Sequence, residues 1–192
     1  MGKRAGLGSV GFAVVAALAA ACSSTVGGSG QAVGGGGSPS AGAADLSAVL
    51  HKDITVRNHV TGHVDYPDSP PLGGNHNPVW ADCTGTVYTR PVANENAVHS
   101  LEHGAVWVTY RPGLDATGLT ALEALVNGHD YTMMSPYPGL DHAVSVQSWG
   151  YQLKTDDATD PRIKLFIGTY RQNPKTTPEY GASCVNPDFP GA

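Results

Sequence analysis

The stretch from Ala97 to Tyr110 changes its period half-way, and that change limits what the chain around it can become. Val98-His99-Ser100-Leu101-Glu102-His103 is spaced for helix, Gly104 follows, and Val106-Trp107-Val108-Thr109-Tyr110 is an apolar, β-rich run. Residues four apart on a helix are stacked neighbours, so His99 and His103 share one face. Glycine takes the left-handed conformation that closes a helix without steric cost. The histidine pair is therefore expected on a tight turn tied directly to a buried strand. Two imidazoles held that way can chelate one divalent or soft monovalent metal ion. The plainer alternative is a pair of core histidines bonded to backbone, and the spacing favours the metal.

The chain has 192 residues and a formal net charge of −5, which argues against a nucleic-acid partner because that wants a basic face. It opens on a short basic segment and an apolar run from Gly11 to Ala21, too short for a membrane span and right for a signal peptide over residues 1–21. Cys22 follows directly, in a setting that resembles a bacterial lipobox, although Ala19 stands where leucine is usual. Lipidation of Cys22 would put the protein on the outer face of the cytoplasmic membrane. Residues 22–44, with Gly34-Gly35-Gly36-Gly37 at their centre, cannot bury enough apolar surface to fold and read as a flexible tether. A single metal-binding domain is expected over residues 45–192.

Within it, Asp45–Leu50 is compatible with a short helix. His59–Tyr66 has period-two character, and Pro67–Pro78 is too rich in proline for helix or ladder, so a long irregular proline/glycine-rich front loop is expected. Leu119, Leu122, Leu125 and Val126 recur at helical spacing. Tyr131–Met134 and His142–Trp149 read as strands, and Asp160-Pro161 opens a helix with Ile163, Phe166, Ile167 and Tyr170 as its apolar stripe. The order implies an α+β fold, a small single domain with a mixed sheet and two or three helices.

Cys83 and Cys184 are the cysteines beyond the anchor, and in an exported protein two such residues most simply form a disulfide. His76 lies in a glycine-bent loop that can aim its side chain. Met133 and Met134 are adjacent, so on a strand one faces the core and the other faces away from it, toward a site. A site of His76, His99 and His103 with a methionine thioether would suit copper, Cu(I) above all, while histidines alone would suit zinc equally. His59 and His63 could be a second ligand pair but read better as a solvated edge. His51, His129 and His142 read as surface or turn residues.

Two other functions stay open. His99-Ser100-Leu101-Glu102-His103 fits H-x-x-E-H, the inverted zinc-protease motif, in which Glu102 would be the general base of a zinc-dependent hydrolase. The histidines could instead knit a loop to the core of a structural or interaction module.

Asp65-Tyr66-Pro67, Ser69-Pro70-Pro71, Gly74-Asn75-His76, Trp80, Tyr88, Pro91-Val92 and above all Val98-His99-Ser100-Leu101-Glu102-His103-Gly104 resemble a bacterial domain family of unknown function, common in actinobacterial lipoproteins and membrane-anchored proteins. The resemblance covers roughly residues 55 to 180. It implies an exported single-domain protein and brings no established activity, and its link with copper-handling genes favours copper as the metal; a copper-handling protein would then be a partner. Family members carry Thr-Ser where this chain has Leu72-Gly73, but the histidine is kept.

Overall fold

The computed structural model describes residues 45–191. The expected signal peptide, the lipidated Cys22 and the tether lie outside the described residues. The elements run β1 (Leu50–His51), β2 (Thr84–Val87), α1 (Asn94–Glu102), β3 (Val106–Tyr110), α2 (Ala116–Val126), β4 (Thr132–Pro136), β5 (Val144–Ser148), β6 (Tyr151–Thr155) and α3 (Pro161–Tyr170). The strands form one mixed sheet in the order β1-β6-β5-β3-β4-β2, in which β4 pairs parallel with both β3 and β2 and the other pairs are antiparallel. This is the expected α+β domain. Among the described residues no helix is long and apolar enough to cross a membrane.

Two crossovers set the layers. α2 carries the chain from β3 to its parallel neighbour β4, while α1 joins β2 to β3 across the place that β4 fills. One face of the sheet presents Val106, Val108, Met134, Val144 and Val146 to Leu122 and Val126 of α2 and to Ile163, Phe166 and Ile167 of α3. The other presents Trp107 and Met133 to Ala97, Val98 and Leu101 of α1, together with Cys83, Cys184 and Trp149. The period-two rule thus sends Met133 and Met134 to opposite faces.

Both long apolar helices start as their sequences imply. The Asp115 carboxylate accepts from the Gly118 amide, and Asp160 accepts from the Arg162 amide with Pro161 at the first helical position. The histidine segment differs from expectation. It is a nine-residue helix rather than a single turn, entered through Ala93 with no side-chain cap. Residues 45–51 form a turn and the two residues of β1, not a helix. In β2, Gly85 has φ 84°, and a Cβ there would stand 2.4 Å from the Gly128 and His129 amide nitrogens. Only glycine lets the α2–β4 turn come that close.

Cys83 and Cys184 are bonded, with their Cα atoms 4.9 Å apart and a sequence separation of 101. Closing so long a loop is worth roughly 4–5 kcal/mol on the chain-entropy account. The bridge is backed by Asp82, which accepts from the Asn186 amide at 2.7 Å, from the Thr84 hydroxyl at 2.7 Å and from the Thr86 hydroxyl. The C-terminal tail is thereby held against the α1 side of the sheet.

Candidate metal centre

Residues 52–83 contain no element beyond one isolated parallel bridge, between His59 and His76. The His76 amide donates to the Asn58 carbonyl at 3.1 Å and the Val60 amide to the His76 carbonyl at 2.8 Å. Tyr66 donates its hydroxyl to the Asn75 carbonyl at 2.7 Å. From α1, the Glu95 carboxylate accepts from the Val64 amide at 2.9 Å and meets His63 Nδ1 at 3.1 Å. These bonds lay His59 and His76 side by side over the helix.

There they meet His99. The ring centroids of His59, His76 and His99 are 4.7 to 4.9 Å apart. His59, His76, His99 and Glu102 each offer a ligand atom, and all four atoms lie within 4.8 Å of one another. His76 and His99, brought together by loop and helix, were expected as ligands from the sequence. His59 was not: it read as a solvated edge, and it is the exposed member of the group. His63 stays apart, between Asp65 and Glu95. His103, one turn along α1, joins His99 and Glu179 in a second group. Met133 and Met134 are fully buried in the two apolar clusters.

Hydrogen bonds fix which nitrogen each ring offers. His76 Nδ1 lies 2.8 Å from the Gly74 carbonyl, His99 Nδ1 2.7 Å from the Asn77 carbonyl and His103 Nδ1 2.7 Å from the Ser183 carbonyl. A carbonyl only accepts, so each Nδ1 carries the proton. Each Nε2 is left as the free ligand atom, the arrangement typical of metal-binding histidines. His76 Nε2 lies 2.9 Å from Glu102 Oε2 yet off the line a hydrogen bond needs, so a wholly buried nitrogen is left without such a partner. A buried polar atom in that state costs stability unless something else meets it.

The charges agree with this reading. Burial, followed by the neighbouring His103 and His76, holds the pKa of His99 down to about 4, so it is neutral and ready to coordinate. Burial likewise lowers that of His103. At His76 burial opposes charge, but the Glu102 carboxylate and the Gly74 carbonyl outweigh it and raise the pKa. Burial also opposes the charge on Glu102, but His76 foremost keeps its carboxyl below the ordinary range, and Arg57 adds to this from 3.5 Å. Glu102 is only 1% exposed, with Arg57 beside one carboxylate oxygen and His76 beside the other.

The model of one protein family matches residues 59–186, a span that takes in every residue of both groups. The chain belongs to the DUF3105 family, proteins of unknown function. No curated protein and no solved structure matches it. As a DUF3105 member it inherits no activity from a relative, and its function has to be read from the site. The donors present fit a first-row transition metal: three imidazoles and one carboxylate, with the His76 and His99 rings held through backbone carbonyls.

Proposed function

We propose that this protein binds one divalent first-row metal ion through His59, His76, His99 and Glu102, and that the ion is copper. The observation that carries the reading is the pair of buried rings, His76 and His99, whose Nδ1 atoms are both tied to backbone carbonyls. Their Nε2 atoms face each other, His59 and one carboxylate within a sphere that a single ion can span. Three imidazoles and a carboxylate are borderline donors, and for such sites affinity rises to Cu²⁺ and then falls to Zn²⁺. The absence of sulfur from this set of four favours Cu²⁺ over the Cu(I) that a methionine ligand would select. With Cys22 lipidated and the tether beyond it, the protein would hold or deliver copper at the outer face of the membrane, to a copper-handling partner.

The zinc hydrolase suggested by H-x-x-E-H assigns Glu102 a different part, and one substitution separates the two. Outer-shell changes commonly cost 10–100-fold in metal affinity, so loss of a direct ligand should cost about a hundredfold or more. Glu102→Gln and His76→Ala should each weaken Cu²⁺ binding by that amount in a chelator competition on the purified chain. If Glu102→Gln holds metal as wild type does, Glu102 is not a ligand and the hydrolase reading takes its place. If wild type binds no metal, the histidines serve structure alone.

A further inference from the structure

The second group, His99, His103 and Glu179, has only His99 in common with the site proposed above. Glu179 comes from the C-terminal tail, where its amide donates to the Glu102 carbonyl at 3.0 Å and its carboxylate lies 3.7 Å from His103 Nε2. His103 repeats the local design of His99: a buried ring, Nδ1 tied to a backbone carbonyl and Nε2 turned toward a carboxylate. Trp80 lies against both rings, with centroids 5.1 Å from His103 and 5.6 Å from His99. The two groups differ in depth. The Glu179 side chain is 43% exposed, against 2% for Glu102.

They also share a ligand. His99 Nδ1 is committed to the Asn77 carbonyl, so its one remaining lone pair, on Nε2, can serve a single ion. From this geometry we infer that His99, His103 and Glu179 form a second, weaker metal position, and that an ion leaves the deep site by exchanging onto it at His99. The inference rests on the deep-site reading and adds a route to it. The shallower position has two anchored imidazoles and an exposed carboxylate against three imidazoles and a buried one, so it should bind less tightly. A ligand shared by two positions lets an ion change hosts without ever being held by water alone. The competing route is direct loss to solvent past His59, the exposed member of the deep group.

The test uses the full chain and Cu²⁺ ions, with chelator competition for affinity and chelator capture for release. A His59→Ala/His76→Ala variant, confirmed as folded by circular dichroism, should keep one weaker site, and adding Glu179→Gln should remove it. In the otherwise native chain, Glu179→Gln alters an accessible side chain and should leave the affinity within about threefold while slowing release by about tenfold, the size of effect expected for a supporting group. A double variant with no residual site, beside a wild type that binds tightly, overturns the second position and leaves the deep site standing. Release at the wild-type rate in Glu179→Gln overturns the exchange route and gives it to His59. A wild type without copper affinity brings down the deep site instead.

Discussion

The two faces of the sheet solve the same problem by different means. The face under α2 and α3 is closed mainly by hydrocarbon: Val106, Val108, Val144 and Val146 meet Leu122, Ile163 and Phe166, all fully buried. The face under α1 buries apolar side chains too, but it also takes in His76, His99, Glu102, His103 and Asp82. Buried charge and buried imidazole cost stability unless they are paired and hydrogen-bonded. That face accordingly carries a disulfide, a carboxylate that ties down the tail, and three rings bonded to carbonyls. One face holds the domain together, and the other spends part of that stability on keeping a set of donors in place.

The comparison can be broken most forcefully at Phe166. Truncating it to alanine should cost about 3–5 kcal/mol in denaturant unfolding, as for large core aromatics. Cu²⁺ affinity per folded molecule should stay unchanged, and a loss of affinity would mean that the two faces are not separable. Next comes Asp82→Asn, expected to cost about 2–3 kcal/mol because a buried acceptor loses its charge-assisted bonds. Asp82 also makes a pH prediction. Burial opposes its charge, but the Asn186 amide and the two threonine hydroxyls outweigh this and lower its pKa. Its contribution is therefore complete above the unfolded value, about 3.9, and is lost as pH falls through the folded one. An acid-unfolding series should show the wild type losing its advantage over Asp82→Asn below about pH 4. The smallest effect is expected at the methionines. Replacing Met133 and Met134 together by leucine keeps volume and should cost less than about 1.5 kcal/mol per site, with Cu²⁺ affinity intact. A marked fall in copper affinity in that variant would bring a thioether into the site and restore the Cu(I) reading.

What the sequence made legible follows the same division. α2 and α3 were readable because their apolar periods are driven by burial against one layer, and β3 because burial on both faces makes it a continuous apolar run; the start and stop residues are of ordinary kinds. α1 was read as a turn because Asn94 and Asn96 are weak helix formers, and bonds from Val64, Asn77 and Ala81 hold its first turn in place. β6 was missed because Trp149-Gly150 is a two-residue hairpin loop whose large aromatic looks like more strand. His59 carried no local sign of its place beside His76 and His99. It reaches the site through a bridge to His76 in a segment without regular structure. Glu179 was invisible for a related reason, since its place beside His103 depends on how the tail folds back over α1.

The anchors of the three rings have a consequence for how such a site can be studied and altered. Gly74, Asn77 and Ser183 hold His76, His99 and His103 through main-chain oxygens. Every amino acid supplies that oxygen, so exchanging Asn77 or Ser183 for alanine leaves the acceptor where it was. A side-chain scan would pass over Asn77 and Ser183 as nearly silent, although they set the tautomer and aim of their rings, while at Gly74 the φ of 121° disfavours any side chain. Drift in sequence would pass over Asn77 and Ser183 as well, and retuning of their rings would come from insertions, deletions or re-bent loops rather than point replacements.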